Sequence, residues 1–208
     1  MISLFLDTAA HDMTIGIYKD TEELYLLTEE NDNHLSEKLL PAIKKAFESI
    51  SMTVNNIDRI YIVDGPGSFT GVRIGCTVAK TIAWALKKEI IPISKLELIA
   101  STDTNGKKKL ALVDARHNCV YAGMYDTTLN SVIEDCYTSM EEILSKMNED
   151  TAIISSDSFD FETMIPNSNI PLIIERHKND DPINPHELKP NYLKRTEAEE
   201  KHDSSCGS

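Results

Sequence analysis

Residues 57–88, IDRIYIVDGPGSFTGVRIGCTVAKTIAWALKK, restrict the fold more than any other stretch. Residues 57–63 are a run of Ile, Val and Tyr, the pattern of a buried strand. Asp64, Gly65, Pro66 and Gly67 then make a tight turn. Over residues 70–87 the apolar positions Val72, Cys76, Ala79, Ala83 and Leu86 recur at helical spacing. A second row lies beside them: Gly71, Gly75, Ala79 and Ala83 recur every fourth residue. Small side chains let another backbone come close. That backbone could belong to a partner helix or to the chain's own sheet, since core helices also use Gly and Ala.

The amides of the turn and of the first helical turn suit an anion such as phosphate. The standard nucleotide motifs fail, however. A P-loop needs Lys after its last Gly, and Val72 follows Gly71. A dinucleotide fingerprint needs Gly at Thr70 and an acidic residue where Ser94 ends the next strand. A hydrolase elbow needs Ser at Phe69. The turn therefore reads either as a packing connection or, with Asp7, Thr8, Gly65, Gly67, Ser68 and Thr70, as a vestigial nucleotide or anion site.

The rest of the chain fits around this unit. Residues 2–6 form a short apolar strand closed by Asp7 and Thr8, and residues 13–18 and 24–28 continue it as an antiparallel meander. Actin-like and sugar-kinase ATPases place a nucleotide at such an acidic strand end. They follow the Asp with Gly so that phosphate can approach, and Ala9-Ala10 stands here instead. Residues 33–50 read as an amphipathic helix on Leu35, Leu39, Leu40, Ile43, Ala46, Phe47 and Ile50. Pro41 inside it predicts a kink or a late start. A strand over 90–93 and a helix over 96–101 complete the element order of an RNase H-like domain, residues 1–102.

After the polar breaker 102–106 the order repeats. Strands are expected over 110–113, 120–125 and 132–137, and a helix over 140–147 with Ser139 and Glu142 as a capping box. Strands over 152–154 and 172–174 flank a short helical stretch at 161–164, and residues 175–190 read as loop. The second subdomain spans 103–195, and 196–208 reads as a disordered tail.

Chemistry-bearing side chains do not gather in sequence. With 34 acidic and 21 basic residues the net charge is −13, which repels phosphate backbones and argues against direct binding of nucleic acid. No apolar run has the length to span a bilayer and no leader is evident, so no membrane and a cytoplasmic location are expected. Cys76, Cys119, Cys136 and Cys206 form no CxxC, which argues against a zinc site or a disulfide framework. No two of the six histidines have metal-pair spacing. Asp7, Asp64 and Asp114 each end or follow a strand, where Asp commonly serves local hydrogen bonds. No metal site and no catalytic residue is assigned.

The segment DGPGSFTGVRIG at 64–75 resembles the TsaB (YeaZ) family, as do LFLDTA at 4–9, SEKLLPAI at 36–43, VDAR at 113–116, VYAGMY at 120–125 and PNYLKR at 190–195. These bacterial proteins take part in making threonylcarbamoyladenosine beside the tRNA anticodon. The resemblance implies an α/β fold of two actin-like ATPase (RNase H-like) subdomains, mixed sheets flanked by helices. It implies a degenerate paralogue of the transferase TsaD, acting as a non-catalytic scaffold. Its partners would be TsaD, the ATPase TsaE in the full assembly, and a second copy when alone. It would meet tRNA only through the complex and have no cofactor of its own, with ATP or ADP at a subunit interface. The implied pairing uses the helices over 33–50 and 70–87, so Leu39, Ile43, Phe47, Gly71, Val72, Gly75, Ala79 and Ala83 form the expected partner or dimer interface. Leu35 stands where many relatives carry His, and Cys119 where an acidic residue is common. The stretch before PNYLKR is short by a helix, so a trimmed second subdomain is expected. The alternative reading is a stand-alone actin-like ATPase or phosphotransferase, with Asp7, Thr8 and the turn at the nucleotide.

Overall fold

The computed structural model describes residues 1–30 and 34–194. Asn33 and the expected tail at 196–208 lie outside the described residues. Strands β1 (Ile2–Asp7), β2 (Asp12–Lys19), β3 (Glu22–Glu30), β4 (Arg59–Gly65) and β5 (Glu89–Ser94) form one sheet in the order β3-β2-β1-β4-β5. The first three pair antiparallel, while β1, β4 and β5 run parallel. The parallel centre explains why β1 and β4 are near-continuous apolar runs: both of their faces are covered. Edge strand β3 is largely exposed and correspondingly polar.

Helices α1 (Leu35–Ser49) and α2 (Phe69–Leu86) pack together and cover this sheet. Pro41 lies within α1, which is continuous from Leu35, so the proline does not delay the start. Ser68 caps α2 by accepting from the Gly71 amide, and Lys87 closes it in the left-handed conformation. Helix α3 (Lys95–Ala100) follows β5 directly, with Ser94 as its cap.

The second sheet holds β6 (Lys108–Asp114), β7 (Cys119–Tyr125), β8 (Ser131–Ser139) and β9 (Thr151–Ile154) in the order β8-β7-β6-β9. Its pairing repeats that of the first, antiparallel through β8-β7-β6 and parallel for β6-β9, with four strands instead of five. Helix α4 (Met140–Ser145) starts at Ser139, which accepts from the Glu142 amide as expected. It covers one face of the sheet through Ile143, against Leu110, Leu112, Val120, Ala122 and Met124. The opposite face joins the main core through Ala111, Tyr125, Leu129 and Ile154, with α3 lying between the sheets.

Two expected elements are different in the structure. Residues 172–174 are not a strand but part of α5 (Ile170–His177). Asn169 accepts from the Leu172 amide, Pro171 sits in the first turn, and Ile170, Ile173 and Ile174 point one face into the main core. Their β-branched run mimics a strand. Residues 161–164 form no helix; Met164 instead bridges in parallel to Ile154. The stretch read as loop is partly ordered too, with a 3-10 turn at Pro185–Glu187. The chain from α5 onward lies back on the first sheet: the Ile183 amide donates to Ile90 O at 3.1 Å, and the Asn191 amide donates to Asp64 O at 2.7 Å.

Candidate functional site

The loop after β1, the start of α2, and the β6–β7 turn face one another across a cleft of about 910 Å³. Gly67 and Ser68 of the turn after β4, Thr70 of α2 and Lys95 of α3 line one side, and Arg116 and Asp157, from loops of the second sheet, line the other. Of the residues expected at an anion site, Gly67, Ser68 and Thr70 therefore line the cleft. Asp7, Thr8 and Gly65 do not; all three are buried behind it.

Local geometry explains that split. Asp7 is 3% exposed; its carboxylate accepts from the Ala9 amide at 2.9 Å and pairs with Lys95 Nζ at 2.6 Å. The Thr8 hydroxyl donates to Gly71 O at 2.8 Å in a buried site. Ala9 O accepts the Ser68 amide at 2.7 Å, so the loop after β1 and the turn after β4 touch directly. A Cβ on Gly67 would come 2.2 Å from that same Ala9 oxygen, so only glycine admits the contact. One amide aimed at an anion is thereby used internally, and the Gly71 amide is taken by Ser68 Oγ at 3.3 Å. Gly65, at φ +129°, permits the sharp exit from β4 beneath Asn191.

Acidic groups near the cleft are mostly committed to loop geometry. Asp157 accepts from the Asp114 amide and Asp114 from the Arg116 amide, at 2.7 and 2.8 Å. Asp64 stands apart: burial pushes its carboxyl from 3.8 up to about 7, opposed by its own backbone amide and reinforced by the charge of Asp135. Among the described residues, no group of three or more His, Cys, Asp or Glu could hold a metal ion, and no helix is long and apolar enough to cross a membrane.

The positions expected at the interface face inward in the single chain. Leu39, Ile43, Phe47, Gly71, Val72, Gly75, Ala79 and Ala83 are all buried within the single chain. A Cβ on Gly71 would meet Thr8 O at 2.0 Å, and one on Gly75 would meet Thr8 Oγ1 at 2.2 Å. At Gly71 and Gly75 the row of small residues thus receives the chain's own Thr8. The exposed faces of the two helices carry other apolar groups: Leu40 (49% exposed) on α1, and Phe69 (57%) and Trp84 (63%) on α2. Lys95, Arg116 and Asp157 were not among the sequence candidates; the Lys95–Asp7 pair spans 88 positions, and nothing local marks it.

The family described as TsaD, tRNA N6-adenosine threonylcarbamoyltransferase, matches residues 28–172. A protein of Bacillus subtilis (strain 168) named tRNA threonylcarbamoyladenosine biosynthesis protein TsaB is 33% identical over 157 residues, covering 72% of this chain and 67% of the relative. The chain belongs to the TsaB family. A relative of the same name from Haemophilus influenzae is 30% identical over 121 residues, 57% of this chain and 51% of its own length. The chain thus spans between about half and two thirds of these relatives. A solved structure of YeaZ from Pseudomonas aeruginosa shares the fold, with a TM-score of 0.77 at 19% identity, over 92% of this chain and 99% of that one. Two mixed sheets flanked by helices, an α/β architecture, are therefore common to the chain and its structural neighbours.

Proposed function

We propose that this chain serves tRNA threonylcarbamoyladenosine biosynthesis as a non-catalytic partner subunit, pairing with a TsaD-type transferase. Family membership gives the pathway, and one contact carries the non-catalytic reading. Where an ATPase needs a gap for phosphate between its two loops, Ser68 N and Ala9 O are hydrogen-bonded at 2.7 Å. Asp7, the carboxylate at the strand end, is already neutralised by Lys95. Pairing would use the exposed faces of α1 and α2, with Leu40 and Trp84 as apolar anchors, while the buried row fixes where those faces stand. The chain alone would pair with a second copy through the same faces. In the full assembly it would also meet TsaE, and it would meet tRNA only through the complex, its charge of −13 disfavouring direct contact. It would carry no cofactor of its own, ATP or ADP being held at a subunit interface.

Reconstitution tests this reading. Threonylcarbamoylation of tRNA by the transferase should depend on adding this chain, and Asp7→Asn should leave that dependence intact. Full transferase activity without the chain would overturn it. The cleft of about 910 Å³ favours a second reading, a stand-alone ATPase. That reading requires ATP turnover by the isolated chain, abolished by Asp7→Asn.

A further inference from the structure

The segment PNYLKR has no part in the function proposed above, yet its described residues make contacts with both sheets. Upstream, Lys80 Nζ on α2 donates to His186 O at 3.0 Å, Leu188 is buried, and the Asn191 amide donates to Asp64 O. This portion is anchored to the first sheet and its helix. Next, the Tyr192 hydroxyl accepts from Arg73 Nε at 2.6 Å. The Arg73 guanidinium lies 3.7 Å over the Phe69 ring, and the Tyr192 and Phe69 centroids are 5.5 Å apart. Two residues further on, Lys194 Nζ stands 5.1 Å from the ring of Tyr137 on β8, and Tyr137 packs on Tyr121 of β7 at 5.7 Å. Phe69 and Tyr121 belong to opposite walls of the cleft.

We propose that residues 190–194 are a clasp that crosses between α2 and the second sheet and sets how wide the cleft stands. The two ends differ in strength. A buried leucine and a backbone hydrogen bond hold the upstream end. Downstream, the partly buried Leu193 rests on the main core, while the side chains of Tyr192 and Lys194 make one hydrogen bond and cation–π and aromatic pairs among exposed or half-exposed groups, individually weak in water. Such an arrangement lets the tip release while the rest of the segment stays docked. Opening would then separate Phe69 from Tyr121 by a hinge about α3 and the core that the two sheets share, and the clasp itself adds no strand to either sheet.

Hydrogen–deuterium exchange on the full chain tests this directly. The variant Tyr192→Ala/Lys194→Ala is compared with the parent over three regions: the clasp, the cleft walls at 67–71 and 114–121, and strands β1 and β4 as a control for folding. Several-fold faster exchange in the clasp and on both walls, with β1 and β4 unchanged, is the expected result. Faster exchange confined to the clasp would show a surface segment with no hold on the cleft and would overturn the proposal. Unchanged exchange in the clasp would overturn it as well. Should the double variant fail to fold, Lys194→Glu alters an exposed residue and cuts only the contact to β8. It should speed exchange on the walls in the same direction, and unchanged walls would again refute the clasp.

Discussion

Gly75→Ala distinguishes an interior row of small residues from an interfacial one. The added Cβ would stand 3.4 Å from Ile62 Cδ1, an ordinary contact, but 2.2 Å from Thr8 Oγ1. The Thr8 side chain must therefore turn away and give up its bond to Gly71 O, in a site closed to water. An unpaired buried hydroxyl costs about 1–3 kcal/mol, and crowding the surrounding core costs a further ~1–3 kcal/mol. The better helix propensity of Ala offsets roughly 1 kcal/mol. The expected net loss is about 3 kcal/mol, read from urea unfolding midpoints at constant slope. Thr8→Ala removes the obstacle and alone should cost about 1 kcal/mol. The double variant should then be no less stable than Thr8→Ala, a favourable coupling of about 2–3 kcal/mol between the two sites. Losses that add to within ~0.5 kcal/mol would refute the packing argument. So would a Gly75→Ala protein of parental stability that no longer binds its partner, because the row would then belong to the interface.

Trp84→Ala should behave in the opposite way, keeping parental stability while weakening pairing with the transferase by about 2 kcal/mol, roughly 30-fold in Kd by titration calorimetry. For Asp64, the folded carboxyl keeps its proton up to about pH 7, whereas the unfolded chain loses it near pH 4. The native state therefore binds more protons between these values. The resulting stabilisation is full below about pH 4 and is lost as pH rises through about 7. It amounts to no more than about 4 kcal/mol, so Asp64→Asn should flatten this slope and exceed the parent in stability at alkaline pH. Burial alone would lower the pKa of His177, but its bonds to Glu97 at 2.9 Å and Asp180 at 2.7 Å prevail and raise it. Its contribution is full below about pH 6.5 and fades as pH rises past the raised value, so His177→Gln should remove that part of the pH dependence from unfolding curves.

Local pattern is enough to read the strand–turn–helix at 57–88, the three-strand openings of both sheets, and the cap at Ser139, because each depends on residues within one or two turns. Helix α5 carries a strand-like pattern because Leu172, Ile173 and Ile174 are equally at home in a strand; the Asn169 cap and Pro171 are the better guide to it. Which side of α2 meets what could not be read locally. The groups that fill the notches at Gly71 and Gly75 belong to Thr8, more than sixty positions upstream. The same holds for the site: Lys95 reaches Asp7, and Asn191 reaches Asp64, through folding alone. The resemblance to the TsaB family supplied the fold and the pathway, but it pointed to interface positions that this chain buries.

Light scattering after size-exclusion chromatography, on this chain mixed with the TsaD-type transferase of its own organism, tests the central claim most directly. A stable hetero-complex, formed by the parent and weakened by Trp84→Ala but not by Asp7→Asn, is the expected result. Two separate species at micromolar concentration, with ATP and TsaE present, would contradict the partner-subunit account.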